Sequence, residues 1–420
     1  KDYFRVLRER PEYRVLFIAY CIDNAGNWLS FIACLSIIDR YGKASYTSLY
    51  FIFRLLPSVC LAGVLGPLAD RLNKRDGMIL CNVGSALAVL VIALPWPEHV
   101  LLPIVLGAAL VQFSFDTLYS PLRQSMIPYF VKDADMQVVT TLDSVAWSTV
   151  GALGATLGGA ICNAFGNRVG FVTDFCSFLI VAGLTMTLPR NYEALNIRDK
   201  VKITAPGQAG NEVLEKAAGS SSQMVIAMFR YLMSHPKVMI VCCAKACGAL
   251  VWSAADLLQV RFSAMSSMGA LGGAQLTLGV LYSMVGVGCY VGPMSWNTCT
   301  PQNGRVLFSR IVISFSNLFI AYLITVFAPN ILVLMLATII RACGAGTLWT
   351  YSTLLVQIWC PAEMKGRIFA FENYLHNLIS IVTFFFCAVL FDYWQFNELQ
   401  ISLIMCFLGM SVFLAWGAFY

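Results

Sequence analysis

The feature that most constrains this chain is a succession of twelve apolar runs, each long enough to cross a bilayer as a helix. Spanning the hydrocarbon core takes about 20 mostly apolar residues, and the backbone amides of each span must be satisfied within the segment itself. Cutting the sequence at charges and Pro/Gly breaks puts spans at 13–38, 46–69, 76–95, 99–121, 137–163 and 167–189. Six more follow at 237–262, 270–298, 305–328, 331–358, 367–391 and 397–419. With 59% hydrophobic and 12% charged residues and a mean hydropathy of +0.73, the chain lacks the polar surface of a soluble domain. The expected fold is therefore an all-α membrane protein with twelve transmembrane helices in two six-helix bundles. A polar stretch rich in Gly, Ser and Lys divides the two sets. The expected units are 1–189, a linker over 190–236, and 237–420. Within the linker, Met224 to His235 reads as a short amphipathic helix lying on the membrane surface before Pro236 opens the seventh span.

Orientation follows from basic residues, because positively charged short loops stay cytoplasmic. An even number of spans puts both termini on one side. If that side is the cytoplasm, it collects most of the 28 Lys and Arg residues. Only Arg40, Lys43, Arg168 and Arg261 fall on the opposite face, and Arg54, Lys245 and Arg341 fall inside spans. Both termini are expected in the cytoplasm, and a bacterial inner membrane fits as well as a eukaryotic organellar or plasma membrane. The net charge of +6 then reflects topology, and nucleic acid is not an expected partner. The basic amino-terminal arm runs into a long first span, so no cleavable signal peptide is expected. The 15 cysteines sit almost all within spans and show no zinc-site spacing, so they read as small buried apolar residues, and no metal or cofactor is expected. No nucleotide-binding glycine loop, H-E-x-x-H or nucleophile elbow is present, which argues against an enzyme.

The halves echo each other. Leu122, Gln124, Pro128 and Lys132 before the fifth span recur at one offset as Leu355, Gln357, Pro361 and Lys365 before the eleventh. Gly66-Pro67 closing the second span is matched by Gly292-Pro293 closing the eighth. The echoes keep one orientation, as parallel repeats about an axis normal to the membrane do. Gly66-Pro67-Leu68-Ala69-Asp70-Arg71-Leu72-Asn73-Lys74-Arg75 resembles the G-x-L-A-D-R-x-G-R-R signature of the major facilitator superfamily, with Asn73 in place of a Gly. Asn tolerates left-handed backbone geometry, which suits that position. Arg54-Leu55-Leu56-Pro57-Ser58, Ser120-Pro121-Leu122-Arg123-Gln124 and Thr173-Asp174-Phe175-Cys176-Ser177-Phe178 are similar to the drug- and siderophore-exporter branch, which includes the enterobactin exporter. So is Pro361-Ala362-Glu363-Met364-Lys365-Gly366-Arg367. Two departures stand out. Gly154 to Gly159 lacks the proline that exporters carry there, and Asn27 stands where this branch often has Asp.

Ionisable residues inside spans are the guide to function, since a charge near the bilayer centre needs a partner or a water-filled cavity. Asp23 and Asn27 share a face of the first span, and Asp23 can carry a coupling proton or be satisfied by Asn24 or a basic residue. Arg54 and Arg341 can bind an anionic group or pair with Asp23, and an ion pair is the favoured reading of Arg54. Lys245 and Asp256 share a face but stand too far apart to pair with each other. Glu372, Asn373, His376 and Asn377 form a polar stripe on the eleventh span. Asp116 and Asp143 read as hydrated or capping residues near cytoplasmic ends, and Asp174 as a packing residue. Trp28, Trp147, Trp252 and Trp349 can line a pocket or fill core.

The resemblance implies a secondary transporter that rocks one bundle against the other, moving a small amphipathic solute, with proton-coupled export as the first reading. Gly66, Asp70, Arg71, Lys74 and Arg75, with Lys365, Gly366 and Arg367, would form its cytoplasmic gate. Flipping of a lysophospholipid and a non-transporting receptor of the same fold are the alternatives. The expected partners are a small-molecule or lipid-like substrate, protons and the bilayer, with the protein acting as a monomer.

Overall fold

The computed structural model describes residues 2–61, 68, 72–132, 135–192, 221–265, 271–297, 303–360 and 362–419. Among these are fourteen helices and no strand. The first half comprises α1 (Asp2–Glu9), α2 (Pro11–Asp39), α3 (Ala44–Cys60), α4 (Lys74–Ala93), α5 (Glu98–Phe130), α6 (Met136–Phe165) and α7 (Asn167–Met186). The second comprises α8 (Ser221–Ser234), α9 (Pro236–Ala264), α10 (Ala274–Asn297), α11 (Gly304–Val326), α12 (Ile331–Trp359), α13 (Ala362–Asp392) and α14 (Glu398–Phe419). Eleven are long and apolar enough to cross a membrane. The remaining expected span falls on α3, described over 17 residues and packed against α5 and α13.

The helix ends follow from local chemistry. Asn73, Asn303 and Asn330 cap α4, α11 and α12, each side chain accepting a backbone N–H of the first turn. A single residue, Gly166, separates α6 from α7 at φ +86°, a conformation that favours glycine. Pro11 and Pro236 open α2 and α9, where a missing N–H costs no helical hydrogen bond.

Packing repeats between the halves. The pair α2–α6 corresponds to α9–α13, α4–α5 to α11–α12, α3–α5 to α10–α12, and α4–α7 to α11–α14. The two bundles meet along α6–α10 and α3–α13, which also exchange under the same operation. A second echo lies at the entrances: α1 and α8 each precede a proline-opened span, and the hinge residues Arg10 (φ −122°, ψ 80°) and His235 (φ −125°, ψ 75°) share one backbone conformation. Arg5 ties α1 to Asp135 at 2.7 Å, and Tyr231 ties α8 to the Trp359 carbonyl at 3.3 Å.

One span boundary needs correction. The run at 99–121 continues as helix to Phe130, through Pro121 and Pro128. Hydropathy breaks at Arg123 because of its charge, but Arg123 is 5% exposed and makes a two-pronged ion pair with Asp143, at 2.8 and 2.9 Å. Asp143 is therefore a salt-bridge partner on α6 rather than a capping or hydrated carboxylate. Asp116, expected near a helix end, stands near the middle of α5.

Candidate transport site

Among the described residues, cross-bundle contacts run from the middle of the helices to the end remote from the termini. There α6 and α10 approach closely through glycines: a Cβ on Gly286 would meet the Ala152 backbone at 2.7 Å, and Gly159 and Gly279 lie against each other's backbone neighbours. The Ser283 hydroxyl donates to the Ala152 carbonyl. On the other seam Phe51 stacks on Phe384 with centroids 4.7 Å apart, and Asn377 donates to Ser58 at 2.9 Å. At the remote end, Asp392 of α13 accepts from Ala44 N at 3.1 Å and Ser45 N at 2.7 Å, and so caps α3. Arg261 adds a bond to the Gly42 carbonyl at 3.3 Å and an ion pair with Glu398 at 3.1 Å.

The second bundle holds a buried ion pair. Lys245 Nζ of α9 lies 2.9 Å from Glu372 Oε2 of α13, with side chains 6% and 1% exposed. The ammonium also donates to Thr353 Oγ1 at 2.9 Å and sits 4.4 Å from the centroid of Trp349. One turn beyond Glu372, the His376 ring contacts Trp252 and Trp349 at centroid distances of 5.6 and 5.3 Å. Among the described residues Glu372 Oε1 and His376 Nδ1 are buried with no hydrogen bond of good geometry, the Ser352 hydroxyl standing beside Glu372 and the Lys245 carbonyl beside the His376 ring. The predicted polar stripe thus turns its charged member inward onto Lys245, while Asn377 spans the bundle seam.

The first bundle is arranged differently. Asp23 is 6% exposed and has neither a salt bridge nor a hydrogen bond among the described residues; its electrostatic neighbours are Asp116, Asp174 and Arg123. Asn24 does not satisfy it, because that side chain donates to the Tyr20 carbonyl. Asn27 accepts from Gln112 at 3.0 Å. Asp174, 0% exposed, is held by Ser177 at 3.1 Å. Arg54 corrects the expected ion pair: its guanidinium lies against the rings of Phe31 and Phe113, 4.6 and 4.9 Å from their centroids, with no carboxylate in contact among the described residues. Asp116 and Asp256 are within its electrostatic reach. Asp116 lies on the surface of the middle of its helix, within electrostatic reach of Arg54.

Arg54 and Arg341 both lie within electrostatic reach of Asp256, while Lys245 pairs with Glu372. Arg341 lines a small cavity inside the second bundle with Gln259, Tyr322 and Thr338, and feels Asp256 electrostatically. Trp252 and Trp349 belong to the Lys245 site, Trp28 packs on Phe31 and Tyr282, and Trp147 is exposed.

Of the expected gate, Gly66, Asp70 and Arg71 lie outside the described residues. Lys74 Nζ stands 5.7 and 5.9 Å from the rings of Tyr129 and Tyr192, and Arg75 bonds Asp76 at 3.0 Å and the Met186 carbonyl at 2.6 Å. Asn73 is extended, at φ −61°, rather than left-handed: it serves as the cap of α4. Lys365, Gly366 and Arg367 form an early turn of α13. In the second half Arg310 lies 4.1 Å from the Trp296 ring, at the position matching the acidic part of the first-half signature.

A model of the Major Facilitator Superfamily matches residues 16–383. The chain belongs to this superfamily. As a member it is a transporter of the major facilitator fold and not an enzyme. Over 194 residues, 44% of the chain, it is 26% identical to an uncharacterized MFS-type transporter, YfiS, of Bacillus subtilis (strain 168); the match spans 45% of that protein, less than half its length. Among solved structures, a nucleoside transporter, NupG, superposes with a TM-score of 0.72 at 12% identity, covering 97% of this chain and 99% of that one. A peptide transporter, POT, in complex with alafosfalin gives 0.69 at 11% identity, covering 95% and 92%. A bacterial homologue of the iron transporter ferroportin in an inward-facing state gives 0.66 at 12% identity, covering 97% and 98%. At these identities the likeness concerns the fold alone.

Thr353, Ser58, Gln112 and Asp392 were not legible as site residues. Each is an ordinary polar residue in its own helix and gains a role only from a helix distant in sequence.

Proposed function

We propose that this facilitator is a proton-coupled secondary exporter of a small amphipathic solute, rocking the unit 1–189 against the unit 237–420. The carrying observation is the seam: two symmetry-related helix pairs join the bundles, and among the described residues their bonds run from mid-helix to the end remote from the termini. Such a hinge can open on the opposite side without unpacking either bundle. The distribution of Lys and Arg supports cytoplasmic termini, and on that reading the seam described closes the outer side. The signature around Asp70 to Arg75, with Lys365 to Arg367, then serves as the latch of the opposite state.

Proton coupling is assigned to Asp23. A buried carboxylate with no cation or hydrogen-bond donor in contact among the described residues is costly when charged, and two further carboxylates stand in its field against one more distant cation, Arg123. Glu372, by contrast, is held by Lys245. The test is efflux or uptake of a solute panel by the purified protein in liposomes, with and without an imposed pH gradient. Movement should follow the gradient and collapse in Asp23→Asn. Gradient dependence retained in that variant would remove the role from Asp23.

A further inference from the structure

We infer that the solute is an organic cation, a protonated arylalkyl amine in chemical class, recognised beside Lys245 by Glu372, His376, Trp252 and Trp349. This rests on the transport reading and adds the substrate's charge to it. Two independent observations carry it.

The first is the chemistry of the walls. Glu372 Oε1 is a buried acceptor with no hydrogen bond of good geometry among the described residues, its neighbour being the Ser352 hydroxyl. His376 lies on the same helix face, its ring close to the Lys245 carbonyl, and Nδ1 likewise makes no hydrogen bond of good geometry among them. With Nε2 carrying the ring proton, Nδ1 is a second acceptor. Two indoles flank these groups. Unfilled acceptors beside aromatic faces complement a group that is positively charged and donates N–H bonds. Lys245 already fills part of this site in that manner, with its ammonium on the Trp349 face and against Glu372 Oε2. It acts as a tethered occupant that an incoming ammonium displaces.

The second is charge balance within the spans. Once Lys245–Glu372 and Arg123–Asp143 are paired, Asp23, Asp116, Asp174 and Asp256 remain against Arg54, Arg310 and Arg341 among the described in-span residues. Carboxylates outnumber cations by one, an excess that a proton or a cationic solute neutralises and an anionic solute would worsen.

Binding of three isosteric probes to the purified full chain in nanodiscs decides the matter: phenethylammonium, neutral phenethyl alcohol and anionic hydrocinnamate, followed by calorimetry and tryptophan fluorescence. The ammonium should bind at least tenfold more tightly than the others and change the indole emission. Glu372→Gln should lose at least tenfold in affinity, and Lys245→Gln should keep or improve it. The charge selectivity of the unaltered protein is informative even if a variant fails to fold. Preference for hydrocinnamate, abolished in Lys245→Gln, overturns the inference, as does binding of none of the three. Transport of a neutral or anionic solute would sink this inference and leave the transport reading standing. Ammonium binding without any transport would do the reverse.

Discussion

Replacing Lys245 by Met removes the ammonium while keeping an unbranched side chain against Trp349. It leaves Glu372, 1% exposed, without its counter-ion, and Thr353 without its donor. Breaking one side of a buried pair costs about 3–5 kcal/mol. Unfolding entropy near the midpoint is about 2.1 cal/mol/K per residue, roughly 0.9 kcal/mol/K for a chain of 420 residues. The expected fall in Tm is therefore about 3–6 °C. Adding Glu372→Gln to the same chain removes the orphaned charge, and the double variant should recover most of the loss, with a coupling energy of at least about 2 kcal/mol. Thermal unfolding of the parent, both single variants and the double variant in detergent, followed by tryptophan fluorescence, gives the full cycle. Single variants within about 1 °C of the parent, or additive losses in the double, would refute the pairing and with it the description of Lys245 as the resident cation of this site.

Asp392→Ala removes the cap on α3, worth about 1 kcal/mol, so the closed remote end should lose about fivefold in population. Spin labels at positions 43 and 397 would report this as a longer-distance component, and an unchanged distribution would exclude Asp392 from closure. Gly279→Leu places a side chain against the Ala155 backbone in the α6–α10 seam, so transport should be lost while helicity and monodispersity persist; full activity would mean the seam is not the hinge. Arg123→Met orphans Asp143 and should lower Tm by about 3–6 °C, in line with other broken buried pairs; an unchanged midpoint would show the pair to be dispensable.

The sequence alone determined the solvent, the helical state and the approximate spans, because hydrocarbon admits few backbone solutions and each span carries its own apolar signature. It also determined the parallel repeat, since the echoes before the fifth and eleventh spans and after the second and eighth keep one order. Lys245, Glu372 and Asp23 could be singled out because a mid-span charge is conspicuous on its own. Their partners could not. Arg123 looked like a loop residue until Asp143 neutralised it, Arg54 looked like half of an ion pair until two phenylalanines packed against it, and Asn73 looked like a turn residue until it capped a helix. Each of these outcomes depends on which side chain a second helix brings within about 3–6 Å, a distance set by bundle packing and not by neighbours in the chain. Composition and periodicity thus decided that the protein spans a membrane in two related halves. Only the tertiary structure decided that the charges separate into a paired site beside α9 and α13 and an unpaired acidic one beside α2, because pairing is a property of helices in contact.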